Sequence, residues 1–402
     1  MVRLPVRSIV GAIAAAAVRW SDAKFPPRAR ASDGVAARTG YSRPAVDHAL
    51  DLLFGALRAD AIESVISDEL GSLDALDGFV SKGGRPPAYA RPLGRVCIVS
   101  SRTTIGVALV PAVFALCAKC DVLVKDREDA LVAAFFATLA QECGDLGEAA
   151  RAHAWRGESE AAALAAFDAV VAFGTDERLA EIARGLPFAT RFIPYGSKAS
   201  VGYIARESLA DERAAQSIGR GAARDLVLYE SEGCLSLHAL FVERGGAISP
   251  ERFAEIFAAE VRAAAIEFPV GENDACAASR RAAARDLATY RSGGKRVYSN
   301  PPAGYLAVVD PPLDRPPLFL PLAIGVHTVS SPHEAEHYLS RHAIAVEALA
   351  VSERRQDLLD LAVTVGAARV AAFGALQAPV LGGFHGGRPR IAEFVRWIAD
   401  ET

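Results

Sequence analysis

Apolar residues recur at helical spacing in Val46 to Leu57 and Ala61 to Leu70, so residues 1 to about 90 read as mostly helical, with breaks at Pro26, Pro27, Gly34 and Gly40. Gly83 to Pro92, rich in glycine and proline, reads as a linker. The pattern then changes. Arg95 to Val99 is a β-rich run, Ile105 to Ala118 a long apolar helix, Val122 to Val124 a second strand, and Asp129 to Glu142 a helix. Ala169 to Phe173, a helix from near Asp176, and Arg191 to Ile193 continue the alternation. A second set follows: Leu226 to Tyr229, Ala239 to Val242, a helix from Pro250 to Ile266, Tyr305 to Val309 and Leu322 to Val329. Strands that are apolar along their whole length and alternate with helices belong to parallel sheets covered on both faces. The expected architecture is α/β: two parallel-sheet lobes with a cleft between them, behind a helical N-terminal segment. The expected division is 1–226, carrying that segment and a Rossmann-like domain, and 227–402.

Composition narrows the class. At 402 residues, 51% hydrophobic and 23% charged, the chain is expected to be folded throughout. A net charge of -4 and scattered arginines exclude a nucleic-acid partner. Six irregularly spaced cysteines form no disulfide framework, which fits a reducing cytoplasm. Arg3, Arg7 and the apolar Ile9 to Val18 imitate a signal peptide, but the stretch runs into Arg19, Trp20 and Asp22 without a clear cleavage site. No apolar stretch reaches the roughly 20 residues of a membrane span.

Ligands of parallel sheets sit at the carboxyl ends of the strands, so the loops after Val99, Val124 and Phe173 are where a cofactor is expected. In Tyr229 to His238, Cys234 follows a strand-like run and a glycine, at an expected helix start. A helix N-terminus favours thiolate over thiol, and backbone N–H groups there can stabilise an oxyanion. The alternative is a small buried residue. His238, one helical turn on, either serves the thiol or is structural.

These segments resemble the acyl-CoA reductase branch of the aldehyde dehydrogenase superfamily, which includes the fatty-acid reductase subunit of bacterial bioluminescence. The similarity runs from Trp20 and Asp22 to the closing His385, Gly386, Gly387, Arg388, Pro389 and Arg390, and is most specific over Tyr229 to Leu240. It implies that Cys234 is the nucleophile, that Lys125 contacts the adenosine ribose, and that Gly174 and Thr175 face the cofactor diphosphate. The water-activating glutamate of hydrolytic members falls on Pro194, which favours reduction of the acyl-enzyme over hydrolysis. The oxyanion asparagine falls on Thr103, with Ser101 nearby, and the glutamate that grips the nicotinamide ribose falls near Pro317 and is absent. Glu128 suits ribose hydroxyls and Arg127 a 2'-phosphate. The family's reductases use NADPH, and NADH is the alternative.

The implied activity is NADPH-dependent reduction of an acyl-CoA or acyl-carrier thioester to an aldehyde. The alternatives are a CoA-acylating or hydrolytic aldehyde dehydrogenase, or a non-catalytic binding protein of the same fold; the resemblance also leaves room for a homo-oligomer or a partner enzyme subunit. His333 to His337 matches H-E-x-x-H, yet Ser331, Pro332 and Glu334 also make an ordinary helix start and no third ligand follows, so no metal is expected. Cys117 and Cys120 read as packed core cysteines. The glycine pairs at 382–383 and 386–387 form a loop in which His385 and Arg388 either reach substrate or cap the last helix.

Overall fold

The computed structural model describes residues 2–101, 103–126, 131–153, 163–271, 275–293, 296–300, 305–311 and 314–402. Its helical start consists of α1 (Val6–Ser21), α2 (Pro26–Thr39), α3 (Arg43–Ala56) and α4 (Ala59–Leu70). The stretch that imitates a signal peptide is α1, and its apolar stripe Val6, Ile9, Val10, Ile13, Ala17 and Trp20 is buried. Trp20 Nε1 donates to Thr138 Oγ1 at 2.9 Å, and its ring packs on Phe54 at 4.9 Å and Phe135 at 5.9 Å.

Gly83–Pro92 is not a linker. After β1 (Val80–Lys82) it supplies β2 (Arg85–Pro92). Two of its prolines sit at the hairpin end, where they lose no ladder bond, and the Pro87 carbonyl accepts from Asp400 N at 2.8 Å. The cofactor-type alternation follows: β3 (Arg95–Val99), α5 (Leu109–Cys117), β4 (Asp121–Lys125), α6 (Leu131–Glu142), α7 (Gly144–Ala149), β5 (Ala150–His153), β6 (Ala169–Phe173), α8 (Asp176–Gly185) and β7 (Arg191–Tyr195). These five strands from β3 onward form a parallel sheet in the order β5-β4-β3-β6-β7. Strand order reverses between β3 and β6, the topological switch point of a doubly wound sheet. Pro194 is tolerated because β7 is an edge strand.

The second sheet is built from β8 (Ala199–Ile204), α9 (Glu212–Val227), β9 (Leu237–Glu243), α10 (Pro250–Glu267), α11 (Ala275–Ser292), β10 (Val297–Asn300), β11 (Tyr305–Val309), β12 (Ala323–Val329), α12 (Pro332–Arg341), β13 (Val346–Val351), α13 (Gln356–Thr364) and β14 (Arg369–Ala372). Its order is β10-β11-β12-β9-β8-β13-β14, parallel except for β10. Leu240 and Val242 of β9 face a core with Phe253 and Phe257 of α10, while Ala239 and Phe241 face Tyr338, Leu339 and Leu358. Both faces are covered, which is why β8 and β9 are buried throughout.

β15 (Val395–Ala399) pairs antiparallel with β2 and returns the chain to the first unit. The chain divides into two compact units, 1–39 with 46–197 and 380–402, and 40–45 with 198–379. The boundary expected at 226/227 therefore moves to Ser197, because β8 hydrogen-bonds between β9 and β13 and so belongs to the second sheet. Leu226–Tyr229, expected as a strand, is the end of α9 and the start of a tight turn with left-handed backbone.

Candidate active site

Cys234 lies in the second unit, between α9 and the central strand β9. The chain leaves α9 through Tyr229, Glu230 and Ser231, three consecutive non-glycine residues in the left-handed region, with φ of 57°, 50° and 61°. Each such residue costs about 1–2 kcal/mol, so the run needs anchors. Ser231 Oγ donates to the Leu226 carbonyl at 2.9 Å, Leu322 N to the Glu230 carbonyl at 3.2 Å, and Gly271 N to Glu230 Oε1 at 2.8 Å. Tyr41 OH donates to Glu232 Oε2 at 3.3 Å, and its ring packs edge-on against Tyr229.

Gly233 to Ser236 then form a turn closed by Ser236 N donating to the Gly233 carbonyl at 2.9 Å, and β9 begins at Leu237. The expected helix start is absent: Cys234 precedes a strand, and no helix dipole acts along it. Neighbouring side chains hold the turn. Ser200 Oγ donates to the Cys234 carbonyl at 2.8 Å, and Gln377 Nε2 to Ser236 Oγ at 3.0 Å. Asp225, buried on α9, fixes the loop that carries Gln377 by accepting from Gly374 N at 2.6 Å and Leu376 N at 3.1 Å.

Cys234 is half-buried, and burial, together with the charge of Glu347, pushes its thiol up to about 12. Lys198 and the backbone N–H groups of Cys234 and Leu235 pull the other way. Lys198 Nζ lies 3.1 Å from Glu347 Oε2, and the Glu347 side chain is 8% exposed. Among the six cysteines, all of them free, Cys97, Cys117 and Cys120 are fully buried, and burial raises Cys120 to about 11. That is the packed-core behaviour expected of the 117–120 pair.

His238 is the second residue of β9, so it does not stand one helical turn from Cys234. Burial pushes it down to about 4 while contact with the Gly233 backbone opposes this, and the ring is neutral at pH 7. Its Nδ1 finds no hydrogen-bond partner among the described residues, and the ring packs on Phe319 at 5.4 Å.

The expected cofactor residues, and Thr103, expected at the oxyanion position, belong to the first unit. Thr103 follows β3, Lys125 closes β4, and Gly174 with Thr175 follows β6, all at the carboxyl edge of the parallel sheet. Ser100 Oγ donates to the Lys125 carbonyl at 3.0 Å, tying the first two loops together. Gly174 N donates to the Tyr195 carbonyl at 3.2 Å, and Thr175 Oγ1 caps α8 by accepting from Arg178 N. Asp176 and Glu177 occupy the first turn of that helix. Arg127 and Glu128 lie outside the described residues. His385 stacks on Tyr195 at 4.3 Å, and Tyr195 on Phe173 at 4.8 Å.

Sequence reasoning missed Ser200, Gln377 and Glu347. Glu347 did carry a signal, being a carboxylate inside the apolar run Val346–Val351. Of the H-E-x-x-H pair, His333 is 83% exposed and bonds Glu336, and no group of three metal-ligating side chains exists among the described residues. No helix among them is long and apolar enough to cross a membrane.

The family model of acyl-CoA reductase (LuxC) matches residues 1–397. No curated protein matches. Among solved structures, the NAD-dependent benzaldehyde dehydrogenase of Corynebacterium glutamicum is 16% identical, with 99% of this chain and 86% of that one covered at a TM-score of 0.70. Aldehyde dehydrogenase C of Pseudomonas syringae, a cysteine-to-alanine variant in complex with NAD+ and octanal, is 14% identical over 98% of this chain and 84% of that one, at 0.69. An aldehyde dehydrogenase of Physcomitrella patens, in complex with the reaction product succinate, is 10% identical over 99% and 85%, at 0.72. At such identities these structures establish the aldehyde dehydrogenase fold. With the family model spanning nearly its whole length, the chain belongs to the acyl-CoA reductase (LuxC) family, enzymes that reduce an acyl group to the aldehyde.

Proposed function

We propose that the protein reduces an acyl thioester, carried on coenzyme A or an acyl carrier, to the free aldehyde with NADPH, through a covalent thioester on Cys234. The observation that carries this reading is the Cys234 turn: a half-buried cysteine in a turn held by Ser200 and Gln377 after a strained backbone run, with the backbone N–H groups of Cys234 and Leu235 favouring its thiolate. Such amides stabilise negative charge first on the sulfur and then on the oxygen of an attacked carbonyl.

The carboxyl edge of the first sheet suits a dinucleotide in part. The carboxyl end of β4, where Lys125 stands next to β3, fits an adenosine end. The first turn of α8 fits a diphosphate less well, because Thr175 caps it and Asp176 and Glu177 bring negative charge. Bound NADPH supplies the hydride. The chain's own residues place the acyl group on Cys234, and Pro194, at the position of the water-activating glutamate of hydrolytic relatives, offers no base to water.

The test is incubation with acyl-CoAs of graded chain length and NADPH, following loss of cofactor absorbance and formation of aldehyde. Activity is expected in the native protein and none in Cys234→Ala. Aldehyde formation by Cys234→Ala at the native rate would overturn the reading.

A further inference from the structure

A thiol raised to about 12 is ionised in roughly one molecule in 10⁵ at pH 7, so attack by Cys234 needs a proton acceptor at the moment of reaction. His238 is a poor acceptor for that proton, because burial disfavours its charged form. The charged groups on the strands around Cys234 point elsewhere. In the sheet, β9, β8 and β13 are neighbours, with Ser200 opposite Leu237 and Ala199 opposite Val346. Lys198 immediately precedes β8 and Glu347 is the second residue of β13, so both lie at the same amino-terminal edge as the turn carrying Cys234. Glu347 is one of few carboxylates buried in this unit, and its partner Lys198 is 3.1 Å away. On the far side, Arg369 of β14 feels the charges of both Glu347 and Asp225 while donating to the carbonyls of Leu376 and Ala375.

Resting on the function proposed above, we infer that Glu347 is the proton acceptor for Cys234 and that Lys198 is the cation that holds the resulting thiolate. The Cys234 S–H bond breaks and an O–H bond forms on the Glu347 carboxylate. The sulfur forms a bond to the acyl carbon, the bond from that carbon to the carrier sulfur breaks, and the departing carrier thiolate takes the proton from Glu347. Acyl thioester and Cys234 thiol become Cys234 thioester and carrier thiol, with no net change in protons or electrons. Lys198 exchanges a carboxylate partner for a thiolate, so the buried edge keeps its total charge throughout, and that avoids the large penalty of an unpaired buried ion.

The test uses two readouts on the full chain with NADPH withheld. One is the pH dependence of iodoacetamide alkylation at Cys234, resolved by peptide mass spectrometry; the other is the rate of CoA thiol release as Cys234 is acylated by an acyl-CoA. In Glu347→Gln, loss of the negative charge should shift the alkylation profile to lower pH, while loss of the base should slow acylation by roughly 10²-fold. In Lys198→Gln both rates should fall. A structural role would move the two readouts of Glu347→Gln together, and acylation by that variant at the wild-type rate, or a parallel fall of both rates, overturns the proposal. Should Glu347→Gln fail to fold, Glu347→Asp decides: acylation slowed at least about tenfold with alkylation retained supports the relay, and wild-type acylation overturns it. If the native protein never acylates, the proposed function fails as a whole; if it acylates and the variants do too, only this inference fails.

Discussion

Two buried neutral histidines make the second unit acid-sensitive, and the size of the effect follows from their surroundings. His238 on β9 and His327 on β12 are both pushed down by burial, each to about 4. His327 lies between Phe241, at 5.3 Å, and Tyr338, at 4.5 Å, and neither of its ring nitrogens finds a partner among the described residues. In the unfolded chain a histidine takes its proton near pH 6.5, whereas these two refuse it until about pH 4. Protonation therefore favours the unfolded state: the stability is fully present above pH 6.5 and is lost as the pH falls toward 4. At pH 5 each histidine contributes a loss of about 2 kcal/mol, or about 4 kcal/mol together. Asp225 works in the opposite sense, because burial raises it to about 7 and the folded state then favours its protonated form in acid. The wild-type curve mixes these trends, so the informative quantity is its difference from His238→Gln/His327→Leu. Urea unfolding of both proteins at pH 7.5 and pH 5 should show the wild type losing about 4 kcal/mol more than the double variant between the two. Equal losses in the two proteins would refute the assignment of both rings as buried and neutral.

Gly221 of α9 packs so closely on the loop after β14 that an added Cβ would lie 2.7 Å from the backbone carbonyl of Phe373. Gly221→Ala should cost about 1–3 kcal/mol and slow acylation of Cys234 by displacing the loop that carries Gln377, as read by urea unfolding and thiol release; unchanged acylation would show that the Gln377–Ser236 contact does not position the turn. On the first unit, Glu177→Gln removes a carboxylate from the first turn of α8 and should lower KM for NADPH roughly two- to fivefold at low ionic strength, measured from initial rates. An unchanged KM would place the diphosphate away from that turn. Trp20→Ala empties the cluster of Phe54, Phe135 and Thr138 and should cost about 3–5 kcal/mol, seen as a lower thermal midpoint.

Three of the parallel strands were legible to the residue. Arg95–Val99, Ala169–Phe173 and Tyr305–Val309 coincide with β3, β6 and β11, because a strand buried on both faces must be apolar throughout. The same signal misleads at Leu226–Tyr229, where apolar residues close a helix instead: four residues are too few for periodicity to separate the two. Gly83–Pro92 fails for another reason. Proline discourages pairing, yet the prolines of β2 sit where only their carbonyls are used. The division of the chain was hidden because it depends on pairings remote in sequence, β8 with β13 and β15 with β2.

For Cys234, the nucleophile proposed above, the local structure differs from what the sequence suggests. A glycine-cysteine pair after an apolar run suggests a helix start, and a helix start suggests a thiolate. The structure replaces both steps. Three side-chain-bearing residues hold left-handed φ values that a sequence reader assigns to glycine, and they do so because Gly271, Leu322, Leu226 and Tyr41 over-determine the turn. A backbone fixed this firmly can hold a neutral thiol among strands without letting it sink into the core. On the reading proposed above, its reactivity would come from the charges that act on the thiol, those of Glu347 on β13 and of Lys198 just before β8. A nucleophile activated by a helix dipole would be ionised at rest and open to any electrophile, including oxidants. The relay inferred above would instead keep Cys234 a thiol until an acyl carbon is within reach.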